Sequence, residues 1–209
     1  MLAYLGDVAR ERRARPGDDL ISELARAQVD GDLLDEHDLV MFCLTLLVAG
    51  NETTRNLIAN GAILLDAHPE QREHLAAHPE AVAGGVEEML RFEGPVIGFL
   101  RTAAQDARLG GECLRAGERV LMLYAAANRD EAVFGTPSEH FDVRRHPNDH
   151  LAFGRGEHFC LGAALARLEA RVAFQELLAR FPRFRLGGPP VRTRSSIVRG
   201  VEALDLLPA

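Results

Sequence analysis

Lysine is absent from the chain, so every cation apart from histidine and the amino terminus is an arginine, a bias of composition and not a sign of chemistry. Blocks of like charge are also missing. The 24 basic and 31 acidic groups are dispersed and leave a net charge of −7, which argues against a nucleic-acid partner. Cysteine is scarce: Cys43, Cys113 and Cys160 are odd in number and far apart, without the paired spacing of a structural metal site. The longest apolar run, Leu39 to Gly50, falls short of the roughly 20 residues that span a bilayer, so it reads as a buried helix core and no membrane partner is expected. The N-terminal segment has apolar residues first (Met1 to Leu5) and basic ones later (Arg10 to Arg15), the reverse of a secretory signal, which makes the cytoplasm the expected location. Repeats and low-complexity linkers are lacking too. With 47% hydrophobic residues, 209 residues suffice for one substantial core, and residues 1–209 are read as a single unit.

The pattern predicts a mostly helical α+β fold. Leu2, Leu5 and Val8 recur at helical spacing until Pro16-Gly17. Asp18 or Asp19 can cap a short helix through Leu20, Leu24 and Ala27, and Asp30-Gly31 reads as a turn. A long helix is expected over 35–68, stopped by Pro69. Two shorter ones follow, each opened by a His-Pro pair, from Pro69 and over 79–92. After Gly94-Pro95 short strands are expected at Ile97 to Thr102, Glu112 to Leu114 and Arg119 to Leu123, separated by Gly110-Gly111 and Gly117. Asn128 to Gly162 is rich in Pro, Gly, His and Asp and nearly aperiodic, which is unusual in a compact domain unless functional. A helix over 161–180 and a tail of irregular strands complete the chain.

Cys160 stands between a glycine-rich loop, Phe153-Gly154-Arg155-Gly156-Glu157-His158-Phe159, and that last helix. Unpaired N–H groups and the dipole at a helix start stabilise a thiolate. The glycines let backbone approach a bulky planar ligand. A buried free thiol is the other reading of a lone cysteine, and these considerations leave both open.

The loop resembles the cysteine-ligand motif of the cytochrome P-450 superfamily, F-G-x-G-x-H-x-C-x-G: Phe153, Gly154, Gly156, His158, Cys160 and Gly162 occupy every fixed place, and Ala166-Arg167 follows as is usual in that family. The resemblance is to the C-terminal, haem-binding half of the bacterial type. It implies Cys160 as axial thiolate to the iron of haem b, where thiolate ligation favours O–O cleavage. Two further motifs occur in the family's order. Glu88-Met89-Leu90-Arg91 resembles the E-x-x-R ion pair; three-residue spacing puts both side chains on one helix face, although such a pair is ordinarily a surface one. The third member of that network is expected from Pro137 to Phe141, where many relatives carry Arg and this chain has His140. Ala49-Gly50-Asn51-Glu52-Thr53 resembles A-G-x-[DE]-T, a polar stretch with a glycine that invites a kink in the long helix. By resemblance, Ala49 and Gly50 make room for dioxygen, and Glu52 and Thr53 form an acid–alcohol pair that relays protons. The intact pair favours O2 over peroxide as the oxidant. Asn51 and Thr54 also read as an exposed turn of an amphipathic helix.

The resemblance further implies Arg101 and His158 as haem-propionate partners, with Phe153, Gly154 and Gly162 beside the cofactor. Substrate contacts are expected from Leu46, Ala49, Val96, Ile97, Phe99, Ile197 and Val198, for which plain core packing is an equal reading. Arg155 is a candidate for docking an electron donor, with a propionate or solvent contact as alternatives. The implied activity is monooxygenation of a small apolar substrate, using O2 and electrons from NAD(P)H through a ferredoxin or flavoprotein. Family members are longer, with N-terminal strands and helices that this chain does not show. A non-catalytic haem-binding fragment, a partner chain supplying the N-terminal half, and a scaffold without haem are the competing expectations.

Overall fold

Asp19 caps a helix as one of the two candidate aspartates, its carboxylate accepting the Ser22 N–H at 2.9 Å. The computed structural model describes residues 1–29 and 31–208, so the turn expected at Asp30-Gly31 lies partly outside the described residues. In chain order the elements are α1 (Leu2–Ala14), α2 (Leu20–Arg26), β1 (Gln28–Val29), β2 (Asp32–Leu33), α3 (Glu36–Ala67), α4 (Pro69–Ala77), a 3-10 turn (Pro79–Ala81) and α5 (Val82–Glu93). Then come β3 (Gly98–Thr102), β4 (Ala107–Leu109), β5 (Glu112–Leu114), β6 (Arg119–Leu123), α6 (Tyr124–Ala127), α7 (Glu131–Phe134), a second 3-10 turn (Gly156–His158), α8 (Ala163–Arg180), β7 (Arg185–Leu186), β8 (Val191–Arg192), β9 (Val201–Ala203) and β10 (Leu206–Leu207). The fold is thus mostly helical with small antiparallel sheets, each two-stranded among the described residues: β1–β2, β3–β6, β4–β5, β8–β9 and β7–β10.

Two compact units result, Met1–Glu52 and Thr53–Ala209. In the first, Leu5 and Ala9 of α1, Ala25 of α2, and Leu39 and Cys43 of α3 form a small core. The i, i+4 spacing within α1 and within α3 presents one apolar stripe from each. In the second, Leu57, Leu64 and Leu65 of α3 pack with Leu75 of α4, Val86, Met89 and Leu90 of α5, and Phe174 and Leu178 of α8. Phe141, Val143 and Phe184 join them from irregular segments. Gly61 lets α3 approach its neighbours: a Cβ there would lie 2.5 Å from Phe174 Cζ and 2.6 Å from Met89 Sδ.

Several boundaries differ from the sequence reading. Helix α8 starts at Ala163, because Gly162 takes φ −83° and ψ 7° outside the helix and leaves Leu161 in the preceding turn. A short helix, α6, follows β6 directly; Tyr124-Ala-Ala-Ala carries no side-chain cap that would announce it. Within the stretch expected to be irregular, Asp130 caps α7 by accepting the Ala132 N–H at 2.9 Å. Helical structure runs through Ala49 to Thr54 without interruption. Thr54 is buried there at 8% exposure, against the exposed position expected for it, whereas Asn51 is exposed. No helix among the described residues is long and apolar enough to cross a membrane.

Candidate functional site

The loop before Cys160 is held by its own backbone. Gly154 N–H donates to Leu151 O at 2.9 Å, Phe159 N–H to Gly156 O at 3.0 Å, and Cys160 N–H to Phe153 O at 2.9 Å. Gly154 and Gly156 take φ of +70° and +72°, a region costly for residues with a side chain. With its N–H turned back to Phe153, Cys160 projects from a closed loop, and its thiol is exposed. The buried-thiol reading is therefore not what the fold shows. Phe159 and Leu161 beside it are exposed at 52% and 80%. Among the described residues no three His, Cys, Asp or Glu side chains group as a metal site.

Beneath the loop lies a charged cluster that the sequence reading missed. Arg167 of α8 makes a two-pronged ion pair with Glu87 of α5, Nε to Oε1 at 2.8 Å and Nη2 to Oε2 at 2.9 Å. Its guanidinium stacks on the Phe153 ring, 4.5 Å from the centroid. His150 Nε2 adds a contact to Glu87 at 3.0 Å. Burial pushes the Glu87 carboxyl up, but the hydrogen bonds from His150 and Arg167 and their charges outweigh it, and its pKa falls to about 2. Arg167 is raised, chiefly by its hydrogen bond to Glu87 and, to a smaller extent, by the charge of Cys160. A cation thus stands within electrostatic reach of the thiol. The Ala166-Arg167 pair was the available signal, but only tertiary packing joins Arg167 to Glu87.

The Glu88–Arg91 pair is fully buried, so the ordinary surface reading of that spacing does not hold. Arg91 donates Nε to Glu88 Oε2 at 2.7 Å and Nη2 to Oε1 at 2.8 Å. Its remaining donors reach the carbonyls of Asn128, Ser138 and His140 at 2.8, 2.9 and 3.1 Å. The third charge is not His140, whose ring is at the exposed surface and which contributes only its carbonyl. Arg145 supplies it, with Nε 3.2 Å from Glu88 Oε2. The turn closed by Arg145 N–H on Asp142 O at 2.9 Å brings that side chain back over α5. Asp142 N–H and Asn148 Nδ2 complete the carboxylate's shell at 2.9 and 3.1 Å.

Arg101 on β3 and His158 on the loop are both exposed, with no carboxylate among the described residues engaging either. The apolar candidates divide. Val96 and Val198 form an antiparallel bridge, and Ile97 N–H donates to Ile197 O at 2.8 Å, so these four are brought together. Phe99 is 48% exposed and meets Tyr124 edge-on, with centroids 6.2 Å apart. Leu46, Ala49, Gly50, Glu52 and Thr53 lie along α3, with Glu52 and Thr53 half-buried and Ala49 and Gly50 exposed.

Comparison with known proteins meets this geometry. The chain is 44% identical to cytochrome P450 107B1 of Saccharopolyspora erythraea over 212 residues, covering 100% of this chain and 52% of that protein. It is 44% identical to the methyl-branched lipid omega-hydroxylase of Mycobacterium tuberculosis over 206 residues, covering 98% of this chain and 48% of that one. The crystal structure of CYP109E1 from Bacillus megaterium in complex with testosterone superposes with a TM-score of 0.94 at 39% identity, covering 99% of this chain and 58% of that one. The chain spans about half the length of the curated relatives it matches. The family model described as cytochrome P450 matches residues 4–198, and the chain belongs to the cytochrome P450 family.

Proposed function

We propose that residues 1–209 form the haem-thiolate part of a monooxygenase that inserts one oxygen atom from O2 into a small apolar substrate. The observation that carries this reading is the exposed Cys160 thiol on a closed loop with Gly154 and Gly156 at positive φ. The side chains suit haem b: the Cys160 sulfur would hold its iron, exposed apolar neighbours would face the ring, and Arg101 and His158, which pair with no carboxylate among the described residues, would meet the propionates. When bound, haem b supplies O2 activation with electrons from NAD(P)H delivered by a ferredoxin or flavoprotein.

The chain's own residues have these roles. Cys160 would hold the iron. Phe153, Gly154 and Gly162 would lie beside the ring, and Arg167, fixed by Glu87, places a positive charge near the sulfur. Ala49 and Gly50 leave space on α3 beside the proton-delivering pair. The Glu52 carboxyl and the Thr53 hydroxyl move protons toward the side where oxygen reacts. Leu46, Val96, Ile97, Phe99, Ile197 and Val198 contact the substrate. Arg155 is offered to the electron donor, and the whole works in the cytoplasm. A second reading is supported by one observation, the coverage of about half of each relative: a haem-binding portion that needs further chain, its own or a partner's, for turnover.

The test is the absorption spectrum of the reduced, CO-bound chain with haem supplied. A strongly red-shifted Soret band that disappears in Cys160→Ala is expected. A wild-type chain without any Soret band sinks the assignment.

A further inference from the structure

Two segments that carry the proposed substrate contacts are tied to each other by backbone alone. Ile97 N–H donates to Ile197 O at 2.8 Å and Arg199 N–H to Pro95 O at 2.7 Å, around the Val96–Val198 bridge. Nothing in that pairing fixes where the pair lies against α3. Asn60 does.

Its side chain is 1% exposed, and its polar capacity is taken up by three separate segments. Nδ2 donates to Glu93 O, at the end of α5, at 3.3 Å and to Arg199 O at 2.9 Å. Oδ1 accepts from Arg192 Nη1, on β8, at 2.5 Å. The partners fix the orientation of the amide, since two carbonyls face one end and a guanidinium the other. One turn earlier, Asn56 accepts the Val201 N–H at 3.0 Å. Arg199 Nε lies 3.0 Å from Glu93 Oε2 and closes the ring of contacts around Asn60. No other uncharged side chain of this length presents donors and an acceptor in that arrangement. Any substitute takes the Asn60 partner away from one of these carbonyls or from the guanidinium.

The geometry points to Asn60 as a positioning residue that sets the segment 95–97 and the loop 197–199 against α3, and thereby the shape of the apolar wall formed by Val96, Ile97, Ile197 and Val198. It touches neither substrate nor cofactor and acts through Arg199 and Glu93. The inference rests on the function proposed above for its link to substrate, and on the hydrogen bonds alone for its link to the backbone.

The test compares the haem-loaded full chain with Asn60→Asp, which keeps the size and the acceptor and removes both donors. Testosterone serves as the probe, read by the haem difference spectrum. The reduced, CO-bound Soret band should stay at its wild-type position, because Asn60's hydrogen bonds go to Glu93, Arg199 and Arg192 and not to the cysteine loop. The dissociation constant for testosterone should rise by about tenfold. Amide exchange at Ile97, Arg199 and Val201 should accelerate by about tenfold or more, with the Leu186–Leu206 pairing unchanged. If Asn60→Asp does not fold, Arg192→Gln removes a single partner at the surface and should show the same localised exchange. Unchanged exchange at all three amides in a folded variant overturns the inference. So does faster exchange with unaltered testosterone affinity. A wild-type chain that takes up no haem sinks the functional reading instead, and the exchange measurement then still decides whether Asn60 sets the register.

Discussion

Arg145 Nε lies 3.2 Å from Glu88 Oε2 and gives the buried Glu88–Arg91 pair its third charge. A carboxylate with no solvent exposure, accepting from two guanidiniums, a backbone N–H and an amide, is tolerable only because each of its lone pairs is used. Loss of Arg145 should therefore matter and loss of His140 should not. Arg145→Met is expected to lower stability by about 1–3 kcal/mol, against about 0.5 kcal/mol or less for His140→Ala. Urea midpoints at neutral pH measure both; equal effects from the two would return the role to His140.

Glu87 makes a pH signature. Its folded pKa of about 2 lies below the usual 4.5, so its contribution to stability is present above the unfolded value and is lost as pH falls from about 4.5 to about 2. Wild type should exceed Glu87→Gln in stability most clearly above pH 5. The gap should close as the pH approaches 2. Denaturant titrations at a series of pH values give the answer, and a gap that widens on acidification would show that the Glu87 carboxylate does not stabilise the fold.

The contact between α3 and α8 is tight enough to reject one methyl group. Gly61→Ala would put Cβ 2.5 Å from Phe174 Cζ and 2.6 Å from Met89 Sδ, and should cost about 1–3 kcal/mol through overpacking. Phe174→Leu alone should also destabilise, by opening a void. Combined, the two should cost less than the sum of the single effects, since the larger side chain is the one in the way. Simple additivity in a thermal-unfolding cycle would show that the chain relieves the clash elsewhere.

Thiol chemistry separates the three cysteines. Cys43 is buried in the core of the first unit, and desolvation raises its pKa, whereas Cys113 and Cys160 are exposed. Two thiols of the native chain should react rapidly with a disulfide reagent and the third only on unfolding. Added haem should protect Cys160 and leave Cys113 as the fast thiol. Mass-spectrometric mapping of the label decides this without any turnover, and a Cys160 still labelled at full rate after haem uptake would remove it as ligand.

Thr53→Ala bears on the proton-delivery role. In a chain that turns over, oxygen consumption should persist while the fraction appearing as hydroxylated product drops by about tenfold or more. Equal coupling in both proteins would remove Thr53 from proton delivery.

Element types were legible in the sequence because punctuation was strong. Pro69 stops α3, Asp19 caps α2, and the glycines between β4 and β5 leave little choice of turn. The start of α8 was misplaced by two residues, since nothing local reports that the Cys160 N–H turns back to Phe153.

The same division runs through the site. The dense spacing of Phe153, Gly154, Gly156, His158, Cys160 and Gly162 was enough, through its resemblance to the family's cysteine-ligand motif, to mark the family, and Gly154 and Gly156 stand where the loop takes positive φ. Only tertiary structure decided that Arg145 and not His140 completes the pair at Glu88, that Arg167 is clamped by Glu87 beneath the loop, and that Asn60 seats the terminal strands on α3. Those contacts join residues 57 to 139 positions apart, and each satisfies a charged or polar group that folding takes wholly or partly out of water. The need for a partner is written at the buried residue, but which distant side chain supplies it depends on where the backbone brings the chain back.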